Sequence, residues 1–162
     1  MIMIKRYTNS FWGWYEKTLS ANTIIVAVLF TWQLAHLYWL TTNVVATRLL
    51  GVSYFNPSPF LEALIIIADY GEIPAIFVAT LLYVRELRLK FNYKSIWMLF
   101  FINSQWLHIL WITDEFIIQQ FSSTAVLGLP IWLAWLAIGI DYLELPVIYD
   151  ALKKAFRLLT TN

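Results

Sequence analysis

The sequence predicts an all-α integral membrane protein. Four transmembrane helices form a duplicated helical hairpin with pseudo-two-fold symmetry, closed into a four-helix bundle. Three observations predict this. The 162-residue chain is 60% hydrophobic and only 13% charged, against about 25% charged residues in an average soluble domain. Four long apolar stretches follow one another, with basic residues gathered at their ends. A frame of polar residues inside those stretches recurs at an offset of 72 positions, as from His36 to His108.

The chain opens with MIMIKRYTNSFWGWYEK. It lacks a long apolar core directly after the basic residues and a small-residue cleavage site, so it reads as mature sequence rather than a signal peptide. Phe11, Trp12, Trp14 and Tyr15, flanked by Lys5, Arg6 and Lys17, suit a segment lying at headgroup level. Residues 1–21 are therefore expected to be an interfacial segment, residues 22–90 a first hairpin, and residues 91–162 a second hairpin with a tail.

The apolar stretches are 22–48, 57–84, 95–120 and 130–151. Each exceeds the roughly 20 residues a helix needs to cross a bilayer. Strands are excluded by length and by the lack of period-2 alternation. Asn56-Pro57 reads as N-cap and first helical position of the second span, and Gly128-Leu129-Pro130 opens the fourth. Lys5, Arg6 and Lys17 precede the first span. Arg85, Arg88, Lys90 and Lys94 lie between the second and third, and Lys153, Lys154 and Arg157 follow the bulk of the fourth. Arg48 alone falls on the other side. The positive-inside rule then predicts a multi-pass protein with both termini and the middle loop cytoplasmic.

The repeat needs no gap. Gln33, His36, Trp39 and Thr41 fall on Gln105, His108, Trp111 and Thr113; Asp69, Tyr70, Glu72 and Pro74 fall on Asp141, Tyr142, Glu144 and Pro146. The stretches DYGEIP and DYLELP are its clearest expression. A two-span unit keeps its orientation when repeated, so the halves should be related by an axis along the membrane normal. Identity between the halves concentrates in polar residues, whereas fold maintenance alone would preserve small residues and volume.

Those polar residues lie deep. About 12 residues separate each His or Asp from the outer helix end, roughly 18 Å at 1.5 Å per residue. A charge at mid-membrane costs about 3 kcal/mol even on the lenient insertion scale, and no Lys or Arg lies near in sequence to offset four carboxylates. Metal ions are the expected compensation. His36, Asp69, Glu72, His108, Asp141 and Glu144 supply two imidazoles and four carboxylates. This inventory resembles the di-iron and di-manganese sites of ferritin-like bundle proteins in ligand count and setting only. Those proteins carry Glu-x-x-His on one helix; here His lies on the first and third spans and Asp-x-x-Glu on the second and fourth. Imidazole with carboxylate suits two or three ions of iron, zinc or manganese. With no cysteine in the chain, thiolate ligands and disulfides are excluded.

Gln33 and Gln105 are expected to orient His or a carboxylate, and Tyr70 and Tyr142 to pack or hydrogen-bond around the site. Trp39 and Trp111, three residues beyond each His, should wall it off. Pro74 and Pro146 should kink their helices and free the carbonyls of Tyr70 and Tyr142. Three acids break the repeat. By helical phase, Glu62 and Glu115 should face the site about 10 Å further out, as a further metal position or a route for cations. Alternatively, Asp114 and Glu115 simply lie near the headgroups or pair with Arg48.

The functional expectation is an integral membrane metalloprotein. Its site would activate oxygen, oxidise a small substrate, lipid or quinone, or use metal-bound water for hydrolysis. Two other readings fit parts of the pattern. One is a cation or proton transporter or channel, which with four helices would require a homo-oligomer. The other is a b-type cytochrome with His36 and His108 as axial haem ligands, which leaves both Asp-x-x-Glu pairs without a purpose. No P-loop, Gly-x-Ser-x-Gly or His-Glu-x-x-His motif is present. The basic residues are topological anchors, so no nucleic-acid partner is expected.

Overall fold

Apolar stretches of this length leave the backbone one economical way to satisfy its own N–H and C=O groups, which is the helix. The structure, a computed structural model, describes residues 2–114 and 130–161. Its described residues contain helices and no strand. The first rod comprises α1 (Ile2–Trp39), a π-helical segment (Leu40–Val45) and α2 (Ala46–Leu50). The second is α3 (Pro59–Tyr70) with α4 (Glu72–Leu89). The third is α5 (Tyr93–Ile112), and the fourth is α6 (Ile131–Tyr142) with α7 (Leu145–Thr160). Four helical spans are long and apolar enough to cross a membrane.

α1 packs against α3, α4 and α7, while α5 packs against α4, α6 and α7. Each odd-numbered rod thus lies between the two even-numbered ones, and all four polar frames can meet on one axis. Residues 72 positions apart make matching contacts between the halves. Thr41 shares a hydrogen bond with Tyr142 at 2.7 Å, and Thr113 shares one with Tyr70 at 2.9 Å. Each Thr hydroxyl also reaches the carbonyl one turn back, Leu37 and Ile109, at 2.7 Å. These two Tyr–Thr bonds tie one hairpin to the other. Tyr70→Phe and Tyr142→Phe should therefore destabilise the bundle by similar amounts, about 1 kcal/mol each. Thermal unfolding of both variants in detergent checks this, and strongly unequal losses would count against equivalent roles.

Several boundaries differ from expectation. The N-terminal segment is the start of α1, which runs unbroken for 38 residues. At 1.5 Å per residue it is about 57 Å long. Its early turns are held to the bundle. Glu16 accepts two hydrogen bonds from Arg85, at 2.7 and 2.6 Å, and the Arg88 guanidinium lies 4.3 Å from the Trp12 ring centre. The second rod begins at Pro59 rather than Pro57, with Ser58 as N-cap accepting from the Leu61 N–H at 3.4 Å. Asn56 instead serves the loop between the first and second rods, where Asn43 donates to its side chain and to the Phe55 carbonyl. Pro130 is the N-cap of α6 and not its first helical residue.

The DYxExP motifs interrupt their rods, three residues earlier than the prolines alone suggest. α3 ends at Tyr70 and α4 restarts at Glu72; α6 ends at Tyr142 and α7 restarts at Leu145. Pro74 and Pro146 then occupy the first turn of the restarted helix, where a missing N–H is tolerated.

The Lys/Arg-rich end holds a network that no repeat announces. Buried Asp150 pairs with Lys94 and, at 2.6 Å, with Lys154; it also accepts from the Tyr83 hydroxyl at 3.1 Å. Lys154 reaches Glu86 at 2.5 Å, and Glu86 accepts from Ser95 at 2.7 Å. Asp150→Ala removes the acceptor shared by α4, α5 and α7. It should cost about 2 kcal/mol, the scale of a hydrogen bond to a charged group, and a melting temperature matching wild type would show the network to be incidental.

Candidate metal centre

The interrupted helices bring the polar frame onto one axis. His36, Asp69, Glu72, His108, Asp141 and Glu144 are all buried, none more than 4% exposed. Within each hairpin the His faces the Asp through Nδ1: His36 meets Asp69, and His108 meets Asp141 at 2.5 Å. Across the hairpins His36 Nε2 lies 3.7 Å from Asp141 Oδ2. The two imidazole rings stand 5.6 Å apart, edge to face. The carboxyls of Glu72 and Glu144 lie against each other, close to Asp141.

His36, Asp69 and His108 each offer a ligand atom, and these atoms lie within 4.8 Å of one another. This group could hold a metal ion. The orientation of the donors fits that reading. Both nitrogens of His36, both oxygens of Asp69, Nδ1 of His108, Oδ2 of Asp141 and Oε1 of Glu144 are buried without a hydrogen-bond partner. Some of the same atoms form the close His36–Asp69 and His108–Asp141 ion pairs. An apolar interior penalises such groups by several kcal/mol unless something satisfies them. Imidazole and carboxylate donors gathered this closely in a buried volume are a set that a cation could share.

Support comes from around the cluster. Gln105 donates to the Ile140 carbonyl at 2.9 Å, holding the backbone immediately before Asp141. It acts on the turn that aims the carboxylate rather than on a His. Gln33 is buried at the equivalent place, with its carbonyl oxygen unbonded. Tyr70 and Tyr142 hydrogen-bond to threonines of the opposite hairpin, and Tyr70 also packs against the Trp111 group. Trp39 and Trp111 are buried with ring centres 5.8 and 6.0 Å from His36 and His108. With Ile112 they help enclose a cavity of about 10 Å³ that borders His36, Asp69 and His108. That is room for about one water-sized group.

The helices widen just outward of each His. The π-helical segment follows Trp39, and residues 113–114 are also π-helical. A π turn carries an extra residue and shifts which positions face inward. The acid buried here is Asp114, 2% exposed. The phase argument that aimed Glu115 at the site assumed regular α-helix. Glu115 itself, and the side chain of Glu62, lie outside the described residues.

Sequence reasoning named Asp114 among the acids that break the repeat but did not single out Asp150. Asp114 corresponds to Thr42 in the other half, and Asp150 to Val78. Neither offers a repeat signal, and the only local hint is the four-residue spacing from Asp150 to Lys154.

No protein-family model, curated protein or solved structure matches this chain.

Proposed function

We propose that this chain is an integral membrane metalloprotein whose metal site lies at the centre of a duplicated, pseudo-two-fold helical hairpin. The observation that carries the reading is the buried His36–Asp69–His108 group, with its ligand atoms within 4.8 Å of one another. Asp141, next to both histidines, and the Glu72–Glu144 pair extend the donor set. A set of this size suits two or three ions of iron, zinc or manganese. The bundle lies in a bilayer with both termini and the middle loop on the cytoplasmic side, because ten of the eleven Lys and Arg belong to that face.

Bound metal would supply Lewis acidity, an activated water or redox chemistry. The protein's own contribution is to hold imidazole and carboxylate donors at fixed spacing, aim Asp141 through the Gln105–Ile140 bond, and exclude bulk water with Trp39 and Trp111. The buried tryptophans and the water-sized cavity favour a resident ion over one in transit, which supports catalysis above transport.

Elemental analysis and an absorption spectrum of the detergent-purified protein test the reading. Two or more tightly held metals per chain without a Soret band are expected. A Soret band would replace it with the cytochrome, and metal-free protein that cannot be loaded would end it.

A further inference from the structure

Resting on the metal reading, we propose that the site is reached sideways from the bilayer, and that the molecule it admits is a lipid-borne substrate with a hydrocarbon chain. Two recesses meet at Trp111. One is the small cavity beside His36, Asp69 and His108; the other is a groove of about 160 Å³ between α5 and α6. Leu107, Leu110, Leu136, Ala137 and Ile140 line the groove with Trp111, and no polar side chain of the described residues interrupts them. Leu107, Leu110 and Leu136 are exposed on its rim.

The groove also leads somewhere. Ile140, at its inner end, carries the carbonyl that Gln105 holds, and the next residue is Asp141. A chain lying in the groove would therefore bring its head towards the metal donors, on the far side of Trp111, which lines both recesses. The repeat sharpens the point. The equivalent of Ala137 is Ile65, which is buried, and the equivalent of Leu110 is Tyr38, whose ring stacks near Phe55 at 5.7 Å. The first hairpin also has an apolar groove, of about 210 Å³, lined by Leu29, Trp32, Ile67, Ala68 and Gly71, but that groove shares no lining residue with the cavity beside the histidines, whereas this one shares Trp111.

The occupant follows from the surroundings. Both α5 and the rod containing α6 are apolar enough to cross a membrane, so an apolar groove between them faces hydrocarbon. A water-soluble substrate would gain nothing from this lining, whereas an alkyl or isoprenoid chain passes from one apolar medium to another and is oriented on the way. The cavity of about 10 Å³ admits only the ligating atoms of its head.

The test uses the full chain in phosphatidylcholine vesicles containing a phospholipid with a diazirine midway along one acyl chain. After irradiation, the label should concentrate on Leu110 and Leu136 relative to Leu64, an exposed position on the other hairpin. Ala137→Phe should abolish that excess. Because Ala137 is buried beside Trp111, Leu136→Phe on the exposed rim provides a second blocking variant. In parallel, 1,10-phenanthroline, which partitions into the bilayer, should strip metal faster than EDTA. The blocking variants should slow phenanthroline about tenfold without changing metal content, the effect of about 1.4 kcal/mol on a barrier. Even labelling of Leu64 and Leu136, or stripping rates indifferent to both variants in metal-loaded protein, would overturn the lateral route. Cross-links from the groove to a second copy of the chain would overturn it in favour of a subunit interface. A protein that never holds metal would instead overturn the reading on which the route rests.

Discussion

His36→Ala and Asp141→Ala should each empty the metal centre and destabilise the bundle by about 3–5 kcal/mol, the usual cost of removing one partner from a buried charge set. Asp141 is the more informative position. It touches His108 at 2.5 Å, lies 3.7 Å from His36, and neighbours the Glu72–Glu144 pair. Its loss therefore disturbs both hairpins, whereas loss of His36 removes a donor from one. Asp141→Asn keeps the volume and removes the charge. It should lose metal as Asp141→Ala does while costing less stability, because the amide can still hydrogen-bond to an imidazole. Metal content by mass spectrometry and thermal unfolding in detergent provide both readouts. Wild-type metal content in His36→Ala and Asp141→Ala would remove these residues from the site.

The polar frame was legible because the chain is its own comparison. A pattern repeated without a gap identifies which buried polar residues belong together, and the structure brings those six into contact range on one axis. Features outside the repeat were not legible, for different physical reasons. Ser58 and Asn56 are both competent N-caps followed by proline, and the choice between them rests on Asn43, which engages Asn56 from the facing rod. The π-helical turns beyond Trp39 and Ile112 follow from packing rather than propensity, and they move Asp114 to the interior. The pairing of Lys94 with Asp150 joins α5 to α7, and no local pattern encodes it. Helix continuity was misread because aromatic and basic residues at the start of α1 suit a headgroup region equally well as a separate segment or as the end of a long helix. Glu16 and Arg85, which decide between the two, meet only in the folded bundle.

Replacing Glu72 or Glu144 by Gln should have opposite effects on metal-stripped and metal-loaded protein. The two carboxyls lie against each other in the interior, each at 3% exposure, with Asp141 nearby. Without a cation, like charges in that setting oppose one another. Gln keeps the shape, removes one acid and gives its neighbour an N–H donor, so stripped Glu72→Gln should melt higher than stripped wild type. With metal bound, the same carboxylates are anionic oxygen donors, and Gln is a weaker ligand. An affinity loss of about 10- to 100-fold, the size found when even the partners of metal ligands are changed, lowers the stabilisation that bound metal confers by about 1.4–2.7 kcal/mol. Loaded Glu72→Gln should then melt lower than loaded wild type. The crossing of the two comparisons is the diagnostic. Melting higher in both states would leave the glutamates a repelling pair beside a site confined to His36, Asp69, His108 and Asp141. Melting lower in both would make them structural, with the metal donors ending at Asp141.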